Sequence, residues 1–167
     1  MREELRDLLL ILLLIYKIVH ASPTGIKRIV KAPRPHFLDS GLLAATRGLS
    51  IERVTNGRDL LGALLESFVC SEVRRLMTAS NLWLSLFHFR DHMNREVDIV
   101  LERNDGLIAG IEVKASATVR SSDFGGLKIL AETRGSRFAY GVVLHDGTDV
   151  VPFGERLAAV PMSALWD

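Results

Sequence analysis

Residues 95–116, REVDIVLERNDGLIAGIEVKAS, hold two runs of branched apolar residues on either side of Asn-Asp-Gly, and both runs carry charges where a plain hairpin takes Val or Thr. Alternate residues of a strand share a face, so the first run is expected to split into Val97, Ile99 and Leu101 against Glu96, Asp98 and Val100. In the second run Ile111, Val113 and Ala115 form the apolar set, and Glu112 and Lys114 stand opposite them. The turn decides whether the acids meet. With Asn104 and Asp105 in a type I turn and Gly106 left-handed, Arg103 pairs with Leu107 and Asp98 falls across from Glu112, with Cβ atoms about 5 Å apart. A two-residue loop would slip the register by one and separate them, but Asn-Asp-Gly suits the three-residue form.

Two carboxylates at that spacing resist joint ionisation, and a sheet gains nothing from pairing them unless a cation sits between. A hard divalent ion such as Mg²⁺ (or Mn²⁺) resolves the conflict: it takes a few carboxylate oxygens, keeps several waters and bridges to a phosphate. Lys114, one step along the same face, supplies positive charge where negative charge builds in phosphoryl chemistry. Glu66, at the border of a helical stripe, is the candidate third carboxylate. The plainer alternative makes Glu66 a boundary residue and Asp98 and Glu112 solvated positions on an exposed face, with Lys114 neutralising Glu96 across the hairpin.

Outward from this hairpin the periodicity predicts a strand over residues 82–89, completing a three-stranded meander. A helix is expected over 59–78, with Leu65, Val69, Val73 and Leu76 as its apolar stripe. Downstream, residues 121–133 read as a helix with Ser122 or Asp123 near its cap. Residues 137–144 read as a strand, followed by short strands around Val150 and Ala158 and an apolar turn at 162–166. Upstream, residues 2–20 read as a very apolar helix ended by Pro23 and Gly25. A basic, proline-punctuated linker follows, then a short helix capped by Asp39 or Ser40 that runs through Thr46 and is closed by Gly48. The expected organisation is therefore an N-terminal helix and linker over 1–25 and an α/β domain over 26–167, with a mixed sheet flanked by helices.

Composition agrees with one folded domain: 167 residues, 48% hydrophobic and 25% charged. A formal net charge of +1 removes any overall basic excess, so a nucleic-acid surface has to be local. Lys27, Arg28, Lys31 and Arg34 form such a run, able to lie along a phosphate backbone although in a linker a solvated face or an intrachain ATPase contact is the commoner role, and Arg120 and Lys128 flank the start of the later helix. His88 and His92 have the i, i+4 spacing of helical metal ligands but fall at a strand end and a loop, where surface or turn roles are expected. Cys70 is the only cysteine, so no intrachain disulfide forms, and a reducing cytoplasm is the expected compartment. Leu8 to Val19 is interrupted by Lys17 and reaches only about 18 Å as a helix, against about 30 Å of bilayer hydrocarbon, so no membrane span is expected. Acidic Glu3, Glu4 and Asp7 speak against a signal peptide. The leucine-rich face of residues 2–20 is instead a candidate surface for homo-oligomer formation.

Asp98 with Glu112-Val113-Lys114, preceded by a helix acid, resembles the core of the PD-(D/E)XK (restriction endonuclease-like) nuclease superfamily. KRIVKAPRPHFLDSGLLAA, LGALLESFV, REVDIVLE, IEVKAS and the closing PMSALW are similar to an uncharacterised domain found C-terminal to AAA-type ATPase modules in bacteria and archaea. The likeness covers residues 26–167. It implies that Glu66, Asp98 and Glu112 bind one or two Mg²⁺ ions and that Lys114 positions or polarises the attacking water at a phosphodiester of nucleic acid. It also implies an ATPase module or another protein as partner. This chain departs from the family in its N-terminal part: it has no GxxxxGK[ST], so ATP hydrolysis is not expected of it. A catalytically silent docking or regulatory domain is the alternative.

Overall fold

The computed structural model describes residues 15–20 and 34–166. The meander is present as anticipated: β3 (Leu84–Arg90), β4 (Glu96–Arg103) and β5 (Ile108–Lys114) run antiparallel. Gly106 N donates to Arg103 O at 2.8 Å and Arg103 N to Leu107 O at 2.9 Å. Gly106 has φ +82, the left-handed position that glycine takes at no steric cost. The three-residue turn therefore sets the register, with Ile99 opposite Ile111 and Leu101 opposite Ala109.

From β5 the chain crosses over helix α4 (Gly125–Arg134) into β6 (Phe138–His145), parallel to β5. β8 (Leu157–Pro161) lies parallel to β6, and β7 (Val151–Gly154) closes that edge antiparallel. This six-stranded mixed sheet is extended to eight by β1 (Ile15–His20) and β2 (Arg34–Phe37), giving the order β2-β1-β3-β4-β5-β6-β8-β7.

The two added strands correct the sequence reading. Residues 15–20, expected in the long N-terminal helix, are extended: β1 pairs antiparallel with β2 and, through Val19 and His20, parallel with β3. Ile15, Tyr16, Ile18 and Val19 are β-branched or aromatic, and β2 together with the edge of β3 offers this segment backbone partners that local periodicity cannot reveal. The rest of the expected helix, residues 2–14, lies outside the described residues. The end of the expected linker is likewise a strand, and Pro35 is tolerated there because β2 is outermost and needs no donor on its free side.

Helix α1 (Ser40–Thr46) begins where Asp39 Oδ1 accepts from Leu42 N at 2.8 Å. A short α2 (Ile51–Asn56), capped by Ser50, leads into the long α3 (Arg58–Ala79). On one sheet face Val69, Cys70 and Val73 of α3 pack against Leu86, Ile99, Ile111, Val113 and Leu144. On the other, Leu127 and Leu130 of α4 pack with Phe89, Val97, Val100, Phe124, Phe138 and Val143. The stripe expected on α3 ends differently: Leu76 is 40% exposed, and Met77, one full turn past Val73, takes the inner position. Among the described residues no helix is long and apolar enough to cross a membrane.

Strict alternation fails in β4, and the failure shapes the site. Phe87 pairs with Val100 but Phe89 pairs with Val97, so Asp98 and Ile99 together oppose the single residue His88. This β-bulge puts Val97 and Val100 in the α4 core and Ile99 and Leu101 in the α3 core, rather than Val97, Ile99 and Leu101 on one side.

A candidate metal centre where two strands part

The β4–β5 ladder ends at Ile99 and Ile111. Beyond it Val113 N has no backbone acceptor on β4, and the Asp98 side chain supplies one: Oδ2 accepts from Val113 N at 2.9 Å. Asp98 is thus turned sideways toward β5 and buried at 5% exposure. Glu112 and Lys114 follow on alternate positions of β5, joined by an ion pair from Nζ to Oε1 at 3.1 Å. Glu66 comes from α3. The charges of all four residues act on one another where β4 and β5 separate.

Burial and mutual repulsion mark the cluster. Burial first, then the Asp98 charge, pushes Glu112 up to about 8. Burial and Asp98 likewise push Glu66 up to about 7. Asp98 is also raised, by burial, against the pull of its bond from Val113 N and of Arg34. Burial acts to lower the Lys114 ammonium, yet the Glu112 carboxylate holds it above its ordinary value. Glu112 Oε2 is buried with no hydrogen-bond partner among the described residues. A buried carboxylate oxygen left unpaired is costly, and it is aligned with neighbours that repel it.

These shifts have a stability consequence with a definite sign. Glu66 and Glu112 keep their protons in the folded chain at pH values where the unfolded chain has released them, so folding takes up protons and stability falls as pH rises from about 4.5 toward 8. Each pKa unit of elevation corresponds to about 1.4 kcal/mol. Thermal melts between pH 5 and pH 8.5 are expected to show a shallower decline for Glu112→Gln than for the wild type. Parallel declines would mean that Glu112 is not under this strain.

A second cation, Arg34, stands among the acids. Its Nη1 lies 3.0 Å from Asp98 Oδ1 and 3.6 Å from Glu66 Oε2, and its Nη2 lies 3.1 Å from Glu96 Oε2. Glu96 is also held by Arg90 Nε at 3.0 Å. Sequence reasoning placed Arg34 in a basic run, on a solvated face or against a phosphate backbone or ATPase module, and missed both its contact with the acids and the role of Glu96. Nothing local signals a pairing between residues 64 positions apart. The plainer alternative, Lys114 neutralising Glu96 across the hairpin, is not what forms: Lys114 is bound to Glu112 along its own strand. Among the described residues no three Asp, Glu, His or Cys side chains are spaced to hold a metal ion. Their donor chemistry nevertheless suits a hard cation: three carboxylates, one with an orphaned buried oxygen.

Beside Lys114 opens a polar cavity of about 260 Å³ lined by Ser116, Thr118, Arg120, Ser122 and Asp123. Asp123 Oδ2 accepts from Arg120 N at 2.7 Å, which fixes the turn entering α4. Arg120 thus lies next to the cluster, while Lys128 is exposed on α4. Lys27, Arg28 and Lys31 lie outside the described residues. His88 is buried in β3 opposite the bulge and His92 is exposed in the following turn, so the two do not form a site.

Residues 61–165 match the model of a family described as Domain of unknown function (DUF4143). The chain belongs to this family. The matched span runs from α3 to the closing turn and includes all four residues of the cluster, while Arg34 lies ahead of it. No curated protein and no solved structure matches this DUF4143 chain.

Proposed function

We propose that this DUF4143 domain is a Mg²⁺-dependent phosphodiesterase of the PD-(D/E)XK type that acts on nucleic acid, working beside an AAA-type ATPase module. The observation that carries the reading is the convergence of Glu66, Asp98, Glu112 and Lys114 at the parting of β4 and β5, with Glu112 Oε2 buried and unpaired. Glu66, Asp98 and Glu112 are the residues that would hold Mg²⁺ or Mn²⁺. The ion, when bound, supplies Lewis-acid polarisation of a phosphoryl oxygen and an acidified water. Asp98, anchored by Val113 N, keeps one carboxylate oxygen aimed away from β5 and into the cluster. Lys114 carries its proton and charge beside Glu112, where it orients the attacking water and offsets charge building on the phosphate. The polar cavity next to it, with Arg120 at its rim, is of a size and charge to receive a neighbouring phosphate of the same strand.

The test is incubation of the purified chain with generic single- and double-stranded DNA and RNA in Mg²⁺ or Mn²⁺, with a chelator control. Cleavage that requires the metal is the expected result. An inert wild type that still binds metal would favour the second reading, a silent docking domain, for which the engagement of the acids by Arg34 speaks.

A further inference from the structure

We propose that Arg34 is the protein's built-in counter-ion for the acid cluster, competing with divalent metal for the same carboxylates and gating access to them. This rests on reading the cluster as a metal site. The guanidinium reaches two of the three proposed ligands, Asp98 at 3.0 Å and Glu66 at 3.6 Å, and one acid outside that set, Glu96 at 3.1 Å. An arginine does not lose its proton in a protein, so its charge cannot be switched off to admit a second cation; the group has to move.

The surroundings allow the side chain to move and hold the strand in place. β2 is tied to β1 through four paired positions, and at the strand's end Ser71 Oγ of α3 lies 2.9 Å from Leu38 O and 3.3 Å from Phe37 O, able to donate its one hydrogen there or to Ser67 O at 3.0 Å. The Arg34 side chain is 33% exposed, and Glu96, 27% exposed, lies on the solvent side of the more deeply buried Asp98. Pivoting about the bond to Glu96 withdraws Nη1 from Asp98 and Glu66 while Nη2 keeps its partner. The two positions of one guanidinium are thus a closed, metal-excluding state and an open one. In the open state the arginine stands at the rim, facing whatever approaches the site.

Calorimetric titration of Mn²⁺ into the full chain separates the possibilities. Arg34→Gln is expected to bind Mn²⁺ about tenfold or more tightly than the wild type, because one close positive charge has gone. Arg34→Lys, which keeps the charge, is expected to stay within a few-fold of wild type. Equal affinity for wild type and Arg34→Gln would overturn the competition and leave the metal site standing; no Mn²⁺ binding by any of the three would overturn both. Nitrogen-detected NMR of the Arg34 guanidinium in the unmutated chain gives a readout that does not depend on a variant folding. Mg²⁺ at saturation is expected to shift its signals and speed their exchange with water, and unchanged signals would overturn the proposal.

Discussion

With Lys114 replaced by alanine, metal-dependent cleavage is expected to fall by about 10²- to 10⁴-fold, the usual effect of removing one group that moves a proton or offsets transition-state charge. The ammonium sits 3.1 Å from Glu112 and borders the polar cavity, so it lies between the proposed metal ligands and the place where a phosphate fits. Substrate binding is expected to change only a few-fold, and Mn²⁺ affinity to hold or rise, since a positive charge beside the proposed ligand Glu112 has gone. Glu112→Gln is expected to abolish cleavage by the other route, losing Mn²⁺ affinity itself. Single-turnover rates read beside metal titrations distinguish the two. If both variants cleave at the wild-type rate, the activity belongs to some other group or to a contaminant.

The largest structural effect is expected at Gly126, not at any charged residue. A Cβ added there would fall inside the contact shell of the Glu96 carbonyl oxygen, a backbone atom at the start of β4 that cannot rotate away. Helix α4 therefore presses its first turn directly onto the strand that carries Asp98. Gly126→Ala is expected to cost about 3 kcal/mol or more, the upper range for overpacking in a core. For a chain of this size that lowers the melting temperature by roughly 6–12 °C. Gly62→Ala is the matched control: its Cβ meets nothing within 4 Å in the interior of α3. There the change is expected to stabilise by about 0.5–1 kcal/mol, since glycine is the poorer helix former. If both variants melted alike, the close approach of α4 to β4 would be refuted. Because the strand pressed on carries Asp98 two residues past Glu96, a folded Gly126→Ala should bind Mn²⁺ less tightly than Gly62→Ala.

How far the sequence could be read differs element by element, for physical reasons. The turn and the register of the hairpin were legible because Asn104, Asp105 and Gly106 specify one turn geometry, and the turn sets which residues of β4 and β5 face each other, although the faces of β4 beyond Ile99 were not. The α3 helix was legible because its apolar period extends over many turns, although the inner position near its end belongs to Met77 and not Leu76. Residues 15–20 were misread. Their apolar run fits a helix or a strand equally, and only pairing with β2 and with the edge of β3 settles it. The bulge at Asp98 and Ile99 was invisible as well, since it arises from a mismatch in length between β4 and its neighbour β3.

The amino-acid order by itself determined the hairpin register and the mixed α/β class, and it brought Asp98, Glu112 and Lys114 near one another along two strands. These follow from turn chemistry and residue period, which act over a few positions. The tertiary structure decided that α3 delivers Glu66 to that spot, that a bulge turns Asp98 toward Val113 N, and that Arg34 reaches in from the sheet edge to pair with the acids. Those are contacts between residues far apart in the chain, and they form only once the sheet and its two helical layers have packed.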